Sequence, residues 1–259
     1  MPVVELAGVT KAYESKVAVN NLSLSIDAGQ MFGLLGPNGA GKTSSIRMMM
    51  GITIPDSGRI SLFGKPFERK SLERVGYLPE ERGLYKKMKV LEQLVFFGQL
   101  HGLTTEEARK RAIDWTGRME IADAVGKKTE ELSKGMQQKI QFIASLLHDP
   151  GLIVMDEPFS GLDLLMLEKT SELIQKVANM DDLNTIIVVT HDITAAAAVA
   201  DHLWLMGRDH DAKGNPLPGS HIVETYDLIE RDLCWNPKII TQPKFIDFVR
   251  EVKERFRTL

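Results

Sequence analysis

The run Gly36-Pro37-Asn38-Gly39-Ala40-Gly41-Lys42-Thr43 follows the spacing G-x-x-x-x-G-K-[ST], which suits a loop that wraps a phosphate chain. Glycines let backbone N–H groups turn inward without a Cβ in the way. A helix expected from Lys42 onward adds the positive end of its dipole. Lys42 is placed to bridge the β- and γ-phosphates of a nucleotide, and Thr43 to put its hydroxyl on Mg²⁺. Ser44 completes the nucleotide-contact set.

A second group follows an apolar run. Leu152-Ile153-Val154-Met155 leads into Asp156-Glu157. A buried strand ending there holds Asp156 at the sheet edge where open α/β sheets bind ligands. Asp156 then supports Mg²⁺, and Glu157 polarises an attacking water as general base. Alone the pair is weak, because many strands end in acidic residues; beside the phosphate loop it is strong. A third group is Leu132-Ser133-Lys134-Gly135-Met136-Gln137-Gln138-Lys139. The plain reading is a helix capped by Ser133. The functional reading is a second anion site at an exposed helix N-terminus.

These residues need elements to hold them. Residues 3–26 read as short strands, with Leu22, Leu24 and Ile26 alternating with Ser23 and Ser25. Met31–Leu35 reads as a buried strand entering the glycine-rich loop, with a helix over 42–50 and a strand near 59–63. Over 88–125 helix formers dominate, and Thr104/Thr105 before Glu106-Glu107 predict an N-cap. Further on, the pattern predicts helices over 136–148 and 164–180, and buried strands at 152–155 and 185–190. Alternation of apolar strands with helices implies a parallel sheet covered on both faces. Leu203–Met206 and His221–Val223 predict a hairpin. Apolar residues at 245, 246, 248, 249, 252 and 256 predict an amphipathic end helix packed on the core, with partner contact as the alternative.

Composition bounds the rest. In 259 residues, 32 Lys+Arg face 35 Asp+Glu, a formal net charge of −3, which argues against a dedicated nucleic-acid binder. The single cysteine, Cys234, leaves no intramolecular disulfide framework. The opening MPVVELAGVT lacks the features of a signal peptide. No stretch approaches the roughly 20 apolar residues of a membrane span. His101, His148, His202, His210 and His221 show no metal-ligand spacing and read as structural or surface residues. Met48-Met49-Met50 reads as adaptable core packing.

Taken in order, the motifs resemble the ATPase subunit of ATP-binding cassette (ABC) transporters. The resemblance covers about residues 3–206. It rests on Gly36–Thr43, the signature segment Leu132–Met136, Asp156-Glu157, the loop Ser160-Gly161-Leu162-Asp163, and His191 after the apolar strand, with Tyr13 where the family places an aromatic against adenine. It implies an α/β P-loop NTPase fold with a mostly parallel central sheet, an antiparallel β subdomain and a helical subdomain at about 88–145. The cassette is placed at 1–225 and a C-terminal extension at 226–259. It implies two ATP molecules between two head-to-tail cassettes, a homodimer above all, each ATP lying between one phosphate loop and Ser133/Gly135 of the other copy. His191 contacts the γ-phosphate and holds the geometry of water and Glu157, and Asp163 communicates between the sites. The resemblance also implies ATP and Mg²⁺, a separate polytopic membrane permease as partner, no nucleic acid, and a place at the cytoplasmic face of the membrane.

Departures narrow the reading. Glu80 stands where the family usually has Gln, able to reach Mg²⁺ or its water while adding charge. The signature is Leu-Ser-Lys-Gly-Met in place of Leu-Ser-Gly-Gly-Gln, so Ser133 and Gly135 match while Lys134 and Met136 do not. The stretch Tyr77 to Tyr85 and the run Ser133 to Lys139 resemble cassettes of ABC-2-type exporters, so export is the expected direction. An importer ATPase is the alternative, followed by a soluble ABC ATPase of ribosomes or DNA. That last class carries two cassettes in one chain or a long coiled-coil insertion, and neither pattern occurs here. Lys86, Lys87 and Lys89 read either as a solvated face or as the rim of a permease-docking groove.

Overall fold

The computed structural model describes residues 1–14, 16–81, 83–160, 164–178, 184–234 and 239–259, with the side chains of 164–166 left aside. In chain order the strands are β1 (Pro2–Tyr13), β2 (Lys16–Asp27), β3 (Met31–Leu35), β4 (Ser57–Leu62), β5 (Lys65–Pro66), β6 (Val75–Leu78), β7 (Leu152–Asp156), β8 (Thr185–Thr190), β9 (His202–Gly207) and β10 (His221–Asp227). The helices are α1 (Lys42–Met49), α2 (Val90–Leu100), α3 (Thr105–Arg118), α4 (Lys134–Leu146), α5 (Leu164–Ala178), α6 (Ile193–Val199) and α7 (Pro243–Phe256). Two compact units divide the chain, Met1–Ser71 with Val154–Leu259, and Leu72–Ile153.

In the first unit, β1 and β2 form one antiparallel pair of 12-residue strands where the sequence pattern suggested shorter pieces. Bulges explain the difference. The register shifts several times along the pair, which interrupts simple alternation without ending the strands. Gly8 and Asn21 take positive φ, and hydroxyls fill the gaps in the ladder: Gly8 N–H donates to Ser23 Oγ (3.0 Å) and Asn21 N–H to Thr10 Oγ1 (3.0 Å). This sheet has the order β2-β1-β4-β5.

The other sheet of this unit runs β10-β9-β3-β8-β7. Here β3 lies parallel to both β8 and β9, and β10 closes the edge antiparallel to β9, as the hairpin pattern predicted. The three apolar runs β3, β7 and β8 are buried along their whole length, the mark of strands covered on both faces. Gly33 lets β3 lie close to β9, since a Cβ there would stand 2.4 Å from Leu203 Cδ2. After β10, α7 turns Phe245, Phe248, Val249 and Val252 into a core with Ala196, Leu205 and Tyr226, as its apolar stripe predicted. Ile246 departs from that stripe and is exposed.

The second unit holds β6, α2, α3 and α4. Thr104 caps α3 in a reciprocal box: Glu107 N–H donates to Thr104 Oγ1 (3.2 Å), and Thr104 N–H to Glu107 Oε2 (2.9 Å). Near the end of α4, His148 stacks flat on His101, with ring centroids 3.8 Å apart. Burial, with the neighbouring His101 and Arg111 adding to it, pushes the His148 pKa from 6.5 down to about 4. Folding therefore favours neutral His148. The stability this contributes is full above pH 6.5 and is lost as pH falls toward 4. Thermal unfolding followed across that window should show a falling midpoint, with a shallower slope in a His148→Gln variant; identical slopes would contradict the assignment.

Candidate active site

The phosphate loop joins β3 to α1. Its backbone explains its glycines. Gly39 and Gly41 sit at φ 82°, a left-handed conformation that side chains with a Cβ adopt at a cost. Gly36 is excluded from substitution for another reason, since a Cβ would stand 2.6 Å from the Met206 carbonyl oxygen. The loop closes on itself through Ala40 N–H to Pro37 O (3.1 Å) and enters α1 through Ser45 N–H to Gly41 O (2.9 Å). Thr43 and Ser44 occupy the first turn of α1, half-buried. Lys42 bends back over the loop, its ammonium donating to Gly36 O (2.7 Å) and Pro37 O (3.3 Å).

Asp156 ends β7 and is 3% exposed. Glu157 follows it at φ 50°, a left-handed conformation uncommon for a non-glycine residue. Its N–H donates to Val189 O on β8 (2.7 Å), so the backbone turns over the end of that strand. Its carboxylate, 9% exposed, gathers three side chains. Thr190 Oγ1 donates to Oε2 (2.8 Å), His191 Nδ1 lies 3.0 Å from both oxygens, and Lys42 Nζ lies 3.8 Å from Oε1. The ends of β7 and β8 thus bring Glu157 against His191 and beside the lysine of the phosphate loop. Together they place an acceptor carboxylate, a half-exposed imidazole and a cation around one point beside a loop of backbone N–H groups.

Tyr13 is the last residue of β1, 41% exposed, with the Lys11 ammonium 5.6 Å from its ring centre. Its cross-strand neighbour Lys16 lines a cleft of about 260 Å³ with Pro37, Asn38, Gly39, Ala40 and Arg208. Asp163, with Gly161 and Leu162, lies outside the described residues. Glu80, Ser133 and Gly135 belong to the second unit. There Glu80 is exposed just past the end of β6. Ser133 is exposed as the N-cap of α4, accepting from Met136 N–H (3.2 Å), with Gly135 in the first turn. Among the described residues no group of His, Cys, Asp and Glu side chains is arranged to hold a metal by itself. One contact the sequence analysis did not foresee is Thr190. Its signal was present as a hydroxyl directly before His191, but a threonine ending a β-branched run reads first as a strand former.

The ABC transporter family matches residues 19–160. The uncharacterized ABC transporter ATP-binding protein YhaQ of Bacillus subtilis (strain 168) is 44% identical over 209 residues, 81% of this chain and 68% of that protein. The Nod factor export ATP-binding protein I of Rhizobium sp. (strain N33) is 34% identical over 221 residues, 82% of this chain and 71% of that protein. The dimeric structure of a post-hydrolysis state of the ATP-binding cassette MJ0796 bound to ADP and Pi has the same fold, with a TM-score of 0.73 at 24% identity, over 87% of this chain and 98% of that one. The chain belongs to the ABC transporter family. It is an ATP-binding subunit of that family and an ATPase, built on an α/β P-loop NTPase fold.

Proposed function

We propose that this chain binds and hydrolyses ATP with Mg²⁺ at the site between the phosphate loop and Glu157, and that the cycle drives export through a separate membrane permease. The observation that carries this reading is the convergence of Thr190, His191 and Lys42 on the Glu157 carboxylate beside the loop. The polyphosphate takes the loop N–H groups and the Lys42 ammonium, and adenine stacks on the exposed face of Tyr13. Thr43 and Asp156 offer hard oxygen donors of the kind Mg²⁺ takes. When bound, the ion neutralises charge on the phosphate oxygens. Glu157 accepts a proton from water as the water oxygen bonds to the γ-phosphorus. The bond from that phosphorus to the β,γ-bridging oxygen breaks, and the electron pair leaves with ADP. His191 turns to the γ-phosphate and keeps the water in line.

Two copies pair head to tail, so that Ser133 and Gly135 of one copy cap the nucleotide held by the other. Moving such a pair from about 1% to about 99% closed takes roughly 5.5 kcal/mol of differential binding. Charge-assisted hydrogen bonds at about 1.5–3 kcal/mol each, made to two nucleotides, are of the right size. Hydrolysis removes the γ-phosphate and the closure with it. Asp163 carries communication between the two sites.

Support for export comes from the Nod factor export relative and from the Tyr77–Tyr85 and Ser133–Lys139 segments. For a permease surface, the second unit offers Tyr85 stacked on Phe97 (6.1 Å between centroids) and edge-on to Phe96, with Lys86, Lys87 and Lys89 beside them. Among the described residues no helix is long and apolar enough to cross a membrane, so on this reading the chain sits on the cytoplasmic face through its permease. The test is co-purification from detergent-solubilised membranes: the chain should come with a polytopic membrane protein, and repeated recovery without one would end the transport reading. Glu80→Gln should keep turnover within about threefold, because Gln is the residue the resemblance leads one to expect at this position and its side chain also offers an oxygen. Near-complete loss would show that the carboxylate itself is required.

A further inference from the structure

We propose that Thr190 is a positioning residue for the base: it holds one oxygen of Glu157 and thereby leaves the other, Oε1, to take the proton from water. The inference rests on the reading of Glu157 as general base. Thr190 is the last residue of β8 and is 1% exposed. Its hydroxyl oxygen accepts from Asp192 N–H (3.1 Å), so its single hydrogen is left to point elsewhere. That hydrogen goes to Glu157 Oε2 at 2.8 Å, because an ionised carboxylate only accepts.

His191 N–H also reaches Oε2, at a longer 3.4 Å, so both bonds from the end of the strand fall on the same oxygen. The other side-chain contacts of the carboxylate are of a different kind. The His191 ring is 53% exposed, and the Lys42 ammonium is shared with two loop carbonyls. Both have a phosphate to turn to when nucleotide binds. Thr190 has none, and its strand is buried throughout. Glu157 is thus fixed to β8 at two successive points, its N–H on Val189 O (2.7 Å) and its Oε2 on Thr190. The clamp stays when Lys42 and His191 leave. It also breaks the symmetry of the carboxylate: Oε2 is held at the strand end, and Oε1 faces the lysine of the phosphate loop at 3.8 Å.

The experiment compares Thr190→Val, which keeps the branched shape and removes the hydroxyl, with Thr190→Ser, which restores it. Each is measured for kcat and KM with Mg²⁺ and ATP, and Thr190→Val is also placed in a Glu157→Gln background under single-turnover conditions. Thr190→Val should lower kcat about tenfold to a hundredfold, the scale of one hydrogen bond to a charged group, with KM within about twofold. Thr190→Ser should recover most of the loss. In the Glu157→Gln background Thr190→Val should cost nothing more, because the group it positions is gone. Wild-type kcat in Thr190→Val, a rise in KM with kcat unchanged, or a further equal loss in the Glu157→Gln background would each overturn the proposal. The last would assign Thr190 to the turn at Asp192 alone. Should Thr190→Val not fold, Thr190→Ala is read by the same criteria. Full turnover by Glu157→Gln itself would instead remove the base assignment, whatever Thr190 does.

Discussion

Glu157→Gln should keep ATP bound while turnover falls by about 10²–10⁴-fold, the usual contribution of a general base. The substitution is nearly isosteric. Gln can still accept from Thr190 Oγ1, so the turn over β8 and the Glu157 N–H bond to Val189 O are expected to survive. What disappears is the proposed proton acceptor. The negative partner of Lys42, 3.8 Å away, disappears as well, which leaves the ammonium more available to phosphate. Nucleotide affinity should therefore be equal to or tighter than that of the native chain. Phosphate release and nucleotide titration on the same preparation check both halves. Undiminished hydrolysis would remove Glu157 from the chemistry, and lost affinity would place it in binding.

Lys42→Ala should do the reverse. The ammonium lies over the phosphate loop on Gly36 O and Pro37 O, where it is poised to exchange carbonyl contacts for phosphate oxygens. Losing one or two charge-assisted hydrogen bonds, at about 1.5–3 kcal/mol in all, weakens ATP affinity about tenfold to a hundredfold. Turnover at saturating ATP should fall as well if, as proposed, the lysine also meets charge that develops on the γ-phosphate. The loop itself should persist, because Gly39 and Gly41 take their conformation without help from the side chain. Calorimetric titration with ATP checks the expectation, and native affinity in Lys42→Ala would contradict the role of the loop.

Much of this site was legible because its chemistry constrains residue type at every step. A loop that needs φ 82° twice asks for Gly39 and Gly41, and a buried strand followed by carboxylates asks for an apolar run ending at Asp156-Glu157. Apolar runs also marked β3, β7 and β8, and Thr104/Thr105 before Glu106-Glu107 marked the start of α3, where Thr104 proves to be the cap. What escaped had weaker patterns. Helix α6 contains four consecutive alanines, Ala195 to Ala198, which offer no contrast between faces for a period to show. The long β1/β2 pair was cut short in the reading because its bulges interrupt alternation. Ile246 looked like a core residue by hydrophobicity, yet it falls off the stripe that Phe245, Val249 and Val252 make and faces outward. The Thr190 contact depends on how two strand ends meet, a long-range fact that no local pattern carries.

In the proposed cycle, ATP closes two copies of this chain and Glu157 chemistry reopens them. Light scattering on the Glu157→Gln protein with ATP, and then with ADP, tests it most directly. With ATP the mass should be twice that of the 28.9 kDa chain, and with ADP it should return to that of one chain. Equal masses with the two nucleotides would contradict the claim.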